Sequence, residues 1–375
     1  MKIPRIYQNL NKNLKPNKAL IIYGPRQVGK TTLLKDYLSG CKMKYKLSSG
    51  DNINVQNIFN SQDFDTIREY AEGYELIAID EAQKIKNIGL GLKILVDQVP
   101  GIKVIATGSS SFELAGQVGE PLTGRKITLN LFPISQIELS NLNNLSEIKE
   151  RLPEWLIYGG YPEVVVTKNK KEKKKILEEI FQAYLLKDIL ELEKIKSSKI
   201  LLDMLRLLAF QVGSEVSLTE IAQQVGIDYK TVARYLDLFE KSFIIYNLRG
   251  YSRNLRKEVT KKSKYYFYDV GIRNAIISNF NDLELRNDVG SLWENFIFIE
   301  RMKKRAYKDI FANCYFWRTW DQKEIDLIEE REGKLHGYEI KWREVKLKPP
   351  KDWIENYKNS DYKVITRKNY LEFIA

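Results

Sequence analysis

The sequence predicts an α/β fold: a doubly wound parallel sheet, then a helical and winged-helix domain, then a small α+β domain. Three observations lead there. The N-terminal part holds continuous apolar runs, Ala19-Leu-Ile-Ile-Tyr23, Leu76-Ile-Ala-Ile79 and Lys103-Val-Ile-Ala106. Such runs mark strands covered on both faces, as in a parallel sheet between helices. The middle carries two helical patterns separated by Gly226, followed by two short strand patterns. The last part has two alternating runs, 322–330 and 335–343, about one tight turn. At roughly 100–200 residues per domain, a chain of 375 residues suggests two or three domains. The boundaries read as 1–140, 141–275 and 276–375.

The elements follow in order. After the run at 19–23, Leu33 to Leu38 reads as helix and Tyr45 to Leu47 as a possible strand. The runs at 76–79 and 103–106 complete the parallel sheet, which extends to about residue 140. Asn141 to Glu150 is polar and reads as a loop or short helix. Tyr158-Gly-Gly-Tyr-Pro-Glu163 is turn punctuation. The charge run Lys168 to Lys175 reads as a solvated helix start, and the chain to about residue 210 as helical.

The composition, 43% hydrophobic and 29% charged, supplies a core and excludes global disorder. A net charge of +12 favours anionic partners such as nucleic acid, nucleotides or acidic proteins, although surplus lysine is also ordinary solvated surface. The two cysteines, Cys41 and Cys314, exclude a disulfide framework, and with His336 as the single histidine they argue against zinc. The first residues lack an apolar signal core and no apolar run reaches spanning length, so a soluble, cytoplasmic chain without a membrane partner is expected.

Gly24-Pro25-Arg26-Gln27-Val28-Gly29-Lys30-Thr31, with Thr32 after it, matches G-x-x-x-x-G-K-[ST] and lies between a strand and a helix. In that setting backbone N–H groups and the helix N-terminus hold phosphates. Lys30 is expected on the β- and γ-phosphates and the Thr31 hydroxyl on Mg²⁺. Asp80 and Glu81 end the next buried strand. Asp80 is expected to hold Mg²⁺ through water, and Glu81 to polarise the attacking water; such an acidic pair can also simply cap the next helix. Ser109 in Thr107-Gly-Ser-Ser110 is the candidate γ-phosphate sensor, with Thr107 second and a plain polar turn as the bland reading. Arg125 is a candidate arginine finger reaching into a neighbouring copy, which would require a homo-oligomer.

Ser217-Leu-Thr-Glu220 has the form of a capping box, Gly226 makes a turn, and Asp228 caps a second helix from Tyr229 to Glu240. Phe243 to Leu248 and Tyr265 to Tyr268 read as wing strands. Arg249, Arg253, Arg256, Lys257, Lys261, Lys262 and Lys264 lie on and between them. As a DNA reader, this winged helix would place Tyr229, Lys230, Thr231 and Arg234 in a major groove and its wing on phosphates. As a packing or protein-contact module it would do neither.

Arg331-Glu332-Gly333-Lys334 reads as a turn with a two-residue loop, setting Asp326 opposite Glu339 and Glu324 opposite Lys341. Ile325, Leu327, Tyr338, Ile340 and Trp342 then share one face, the carboxylates the other. Like charges face to face are unfavourable, and a divalent metal between Asp326 and Glu339 would relieve them. Glu294, on the helical run Val289 to Met302, could complete the set, with Lys341 stabilising developing charge. This is the pattern of the PD-(D/E)XK nucleases; the bland reading is a solvated face with a Glu324–Lys341 ion pair.

Taken together, the chain resembles a family of archaeal and bacterial AAA-related P-loop ATPases whose C-terminal half is a domain of unknown function, with a winged helix and a nuclease-like module. The resemblance rests on residues 24–32, Ile-Asp-Glu-Ala-Gln (79–83), Thr-Gly-Ser-Ser (107–110), Leu-Thr-Gly-Arg (122–125), Tyr-Gly-Gly-Tyr-Pro-Glu (158–163), Tyr-Phe-Tyr-Asp-Val-Gly-Ile-Arg-Asn (266–274), Glu-Ile-Asp (324–326) and Glu-Ile-Lys (339–341). It implies ATP, rather than GTP, together with Mg²⁺. Three functions stay open: an ATPase controlling a DNA-associated module, an ATP-gated metal-dependent nuclease, and a slow nucleotide switch that binds a protein.

Overall fold

Five strands form the first sheet: β1 (Lys18–Tyr23), β2 (Tyr45–Ser49), β3 (Leu76–Asp80), β4 (Lys103–Gly108) and β5 (Lys126–Asn130). Their order is β2-β3-β4-β1-β5, and every pairing is parallel. The apolar runs of β1, β3 and β4 are the buried centre of this sheet. Helices α1 (Lys30–Ser39), α2 (Ile53–Ser61), α3 (Phe64–Ala71) and α4 (Ile88–Gln98) fill the crossovers. Because all strands run the same way, the loops after β1, β3, β4 and β5 gather at one edge, where α/β sheets bind ligands.

The computed structural model describes residues 3–108, 121–185, 198–251, 263–319 and 321–375. It divides into two units, Met1–Phe132 with Lys241–Phe243, and Pro133–Glu240 with Ile244–Ala375. The parallel sheet is the first unit. No helix among the described residues is long and apolar enough to cross a membrane.

The second unit is built on a seven-stranded sheet, order β12-β11-β10-β9-β7-β8-β6. Its strands are β6 (Glu215–Val216), β7 (Ile245–Gly250), β8 (Ser263–Phe267), β9 (Asn313–Arg318), β10 (Glu324–Arg331), β11 (Lys334–Ile340) and β12 (Ser360–Ile365). The boundary expected at 275/276 therefore does not separate compact units. Strand β7, whose other edge pairs with β8, pairs in parallel with β9 through Arg249↔Tyr315 and Gly250↔Phe316. An open strand edge left by the first region is covered by the second. The first compact unit ends at Phe132.

The turn punctuation at 158–163 interlocks in this unit with the segment that follows the second wing strand. Gly160 N–H donates to the Asp269 carboxylate at 2.7 Å, and Asn274 Nδ2 donates to the carbonyls of Leu156 and Ile157 at 3.0 and 2.9 Å. Arg273 donates to the Ala209 carbonyl at 2.9 and 2.6 Å. A Cβ on Gly159 would stand 2.1 Å from Asp269 Oδ1. The lysine run proves less solvated than expected. In the helix Lys170–Glu179, Lys173 is buried and donates to Glu154 and to the Val164 carbonyl, both at 2.7 Å. The helix Val289–Tyr307 is tied to the sheet by a bidentate Arg301–Glu329 pair, both contacts 2.8 Å.

Candidate functional site

The loop 24–29 leaves β1 and enters α1 at the carboxyl edge of the parallel sheet. A side chain at Gly24 is excluded, since its Cβ would lie 2.0 Å from the Leu131 carbonyl oxygen. Gly29 caps α1 with φ 92°, a left-handed conformation suited to glycine. Pro25 and Val28 are buried, Arg26 and Gly29 half-buried, and Gln27 and Thr32 exposed. The Lys30 ammonium is buried and folds back over the loop, donating to the Gly24 and Pro25 carbonyls at 2.9 and 2.7 Å. That places a cation inside the turn of main chain that phosphates would occupy.

Thr31, Asp80 and Thr107 meet beside it. Thr31 Oγ1 donates to Asp80 Oδ2 at 2.8 Å, and Thr107 Oγ1 donates to Asp80 Oδ1. Thr107 Oγ1 also accepts the Glu81 N–H at 3.2 Å. Glu81 itself has φ 51°, a conformation uncommon for a residue with a side chain, and Gln83 Nε2 donates to its carboxylate at 2.5 Å. The hydroxyl–carboxylate pair has the donor chemistry of a hydrated Mg²⁺ site. Of the sensor candidates, Thr107 joins this group, and Ser109 lies outside the described residues. Arg125 sits at the start of β5, at the strand end away from the loop, and pairs with Asp97 at 2.5 Å. It is not part of the phosphate edge of its own chain.

One residue that no motif flagged is at this edge. The Arg5 guanidinium donates to the Val28 carbonyl, and to the Phe132 carbonyl at 2.5 Å, tying the back of the loop to the exit of β5. An arginine far upstream of a motif carries no spacing signal, so sequence reading had no means to find it.

The second group of candidates lies in the second unit. The β10–β11 register has Leu327 opposite Tyr338, as the turn predicts, and Glu332 and Gly333 take φ 51° and 72° as a two-residue hairpin loop requires. The expected alternation breaks at one place. The pairing of β10 with β9 shifts between Ile325 and Ile328, a bulge that brings Ile325 into one cluster with Ile328, Leu335, Trp317 and Trp353. Asp326 is aimed at the end of β11, where it accepts the Ile340 N–H at 2.7 Å. Lys341 lies 2.6 Å from Glu339 and 3.3 Å from Asp326. Glu324 does not pair with Lys341 but with Lys264, which also lies 3.6 Å from Glu294. Tyr266 OH donates to Glu294 at 2.7 Å. Lys264, expected among the wing cations that face phosphates, is buried instead. Burial and the facing Asp326 carboxylate push Glu294 up to about 8 and Glu339 up to about 7. Among the described residues, no three or more His, Cys, Asp or Glu are grouped so as to hold a metal ion.

The two helices of the middle region form as expected: Leu218–Val225 capped by Ser217, a left-handed Gly226, and Tyr229–Lys241 with Asp228 accepting the Thr231 N–H at 3.0 Å. Tyr229, Lys230 and Arg234 are exposed on the second helix. Arg253, Arg256, Lys257, Lys261 and Lys262 fall outside the described residues.

Comparison with known proteins agrees with the first unit's geometry. Residues 16–140 match the AAA domain family, 149–283 a domain of unknown function (DUF8612), and 289–371 another (DUF4143). An uncharacterized protein of Haemophilus influenzae is 25% identical over 340 residues, 84% of this chain and 80% of that one. An uncharacterized protein of Mycobacterium tuberculosis is 26% identical over 327 residues, 86% and 70% of the two chains. Among solved structures, the AAA domain of FIGL-1 in complex with ADP aligns with a TM-score of 0.28 at 15% identity, covering 64% of this chain and 85% of that one. That similarity is too low to speak for this chain's fold. The unit that holds the parallel sheet and P-loop is thus similar to AAA domains, and the C-terminal part to the DUF4143 family.

Proposed function

We propose that this protein is a Mg²⁺-dependent ATPase whose nucleotide state controls a DNA-associated module in its second unit. The observation that carries the ATPase reading is the Thr31–Asp80–Thr107 hydrogen-bonded chain next to the buried Lys30 ammonium. When bound, Mg²⁺ would neutralise phosphate charge, held by the Thr31 hydroxyl and by Asp80 through water. The backbone N–H groups of the loop, which Pro25 lacks, and the Lys30 ammonium bind and orient the triphosphate. Glu81 orients the attacking water; Gln83 holds its carboxylate and Thr107 its backbone N–H. Arg125 would serve a neighbouring copy in a homo-oligomer, after release from Asp97.

Support for DNA association is narrower: the exposed Tyr229, Lys230 and Arg234 and the net charge of +12. Binding through phosphates predicts affinity that falls steeply with salt. The test is an ATPase assay with and without duplex DNA, on wild type and on a Lys230→Glu, Arg234→Glu double variant. Stimulation by DNA that the double variant loses supports control of a DNA-associated module. Tight nucleotide binding with no DNA affinity at low salt rejects it in favour of a protein-binding switch.

A further inference from the structure

The nuclease resemblance implies a divalent metal among Glu294, Asp326 and Glu339. Those side chains do converge, but they converge on two ammonium groups of this chain. Lys264 is 1% exposed and touches Glu294 and Glu324. Lys341 touches Asp326 and Glu339. Further contacts among the described residues are Tyr266 OH on Glu294, Ile340 N–H on Asp326, and the Arg318 guanidinium 3.6 Å from Glu324.

Lys264 is almost fully buried in this position. It is the second residue of β8, an interior strand of the sheet, held opposite Leu248 of β7 and Glu215 of β6. Its ammonium also lies 5.4 Å from the centre of the Phe316 ring. A divalent cation needs six or more oxygen ligands at about 2.0–2.6 Å. Water can supply some of these, and Glu339 Oε2 is buried without a hydrogen-bond partner, but Glu294, Glu324, Asp326 and Glu339 each already face Lys264 or Lys341, and a lysine left in place would repel the ion. Removing a buried ammonium from its carboxylates is itself unfavourable, since it strands charge away from water.

We infer that Lys264 is the resident cation of this carboxylate cluster and that it keeps divalent metal out, so the nuclease-type metal site is replaced here by an internal ion-pair network. The inference concerns the second unit alone and stands or falls independently of the P-loop.

The test is Mn²⁺ uptake by the full-length, nucleotide-free protein, followed by electron paramagnetic resonance. Wild type and Asp326→Asn should titrate alike, any uptake at Thr31 and Asp80 being common to both. Lys264→Met, a neutral chain of similar length, should gain uptake at least about tenfold tighter, of the size that metal-site neighbours commonly impose. Adding Asp326→Asn to it should remove that gain. Wild-type uptake that Asp326→Asn abolishes would overturn the inference, as would Mn²⁺-dependent DNA cutting lost in the same variant. A folded Lys264→Met protein with no gain would overturn it too. Should Lys264→Met fail to fold, the comparison of wild type with Asp326→Asn decides alone.

Discussion

At the residue scale, the phosphate edge makes separable demands. Lys30→Ala removes the one ammonium inside the loop and should weaken ATP binding about 10- to 100-fold, the worth of a charge-assisted hydrogen bond, measured by calorimetry. Glu81→Gln keeps the shape and the Gln83 contact, so binding should persist while hydrolysis falls about a hundredfold or more. Arg5 does neither job. It fixes the back of the loop through the Val28 and Phe132 carbonyls, so Arg5→Ala should cost about 2 kcal/mol of stability in a denaturant titration. Lysine should restore little of this, having no planar fork to span two acceptors. In the second unit, pH is the probe. Glu294 is held at about 8 by burial and by Asp326, against ~4.3 for an unfolded glutamate. The folded state therefore binds more protons across that window, so stability present at acid pH is lost as pH rises through it. Melting temperature should fall from pH 5 to pH 9, and less steeply in Glu294→Gln; equal slopes would refute the assignment.

At the element scale, what the sequence disclosed follows from where side chains go. Strands β1, β3 and β4 were legible because burial on both faces leaves an unbroken apolar run. Strand β5 was not, since in Lys126–Asn130 only Leu129 is buried. Helix α2 shows just Val55 and Phe59 to the core, too sparse a stripe to read, and α4 carries Gly89 and Gly91, which look like breakers. The β10–β11 register was legible because Glu332-Gly333 fixes the turn. The bulge that re-aims Asp326 was not, because it arises from pairing with β9, and neither was the burial of Lys264, which depends on strands distant in sequence. The interlock of Tyr158–Glu163 with Asp269–Asn274 makes its own prediction. Gly159→Ala meets Asp269 and is strained at φ 69°. It should destabilise the protein by about 2–4 kcal/mol.

At the scale of the whole molecule, two sheets divide the work. The parallel sheet gathers the P-loop and the ends of β3 and β4 at one edge; the second unit holds both the helix Tyr229–Lys241, with Tyr229, Lys230 and Arg234 exposed, and the carboxylate–lysine network. The one mixed sheet was not legible along the chain because β7 and β9 join segments that are far apart in sequence. The central claim is that the first unit binds and hydrolyses ATP. It is tested most directly by titrating MgATP into wild type, Lys30→Ala and Glu81→Gln while following phosphate release from the same samples. The account predicts saturable binding and turnover in wild type, binding without turnover in Glu81→Gln, and binding weakened about 10- to 100-fold with turnover lost in Lys30→Ala. Folded wild-type protein that takes up no nucleotide, or equal turnover in all three, would contradict it.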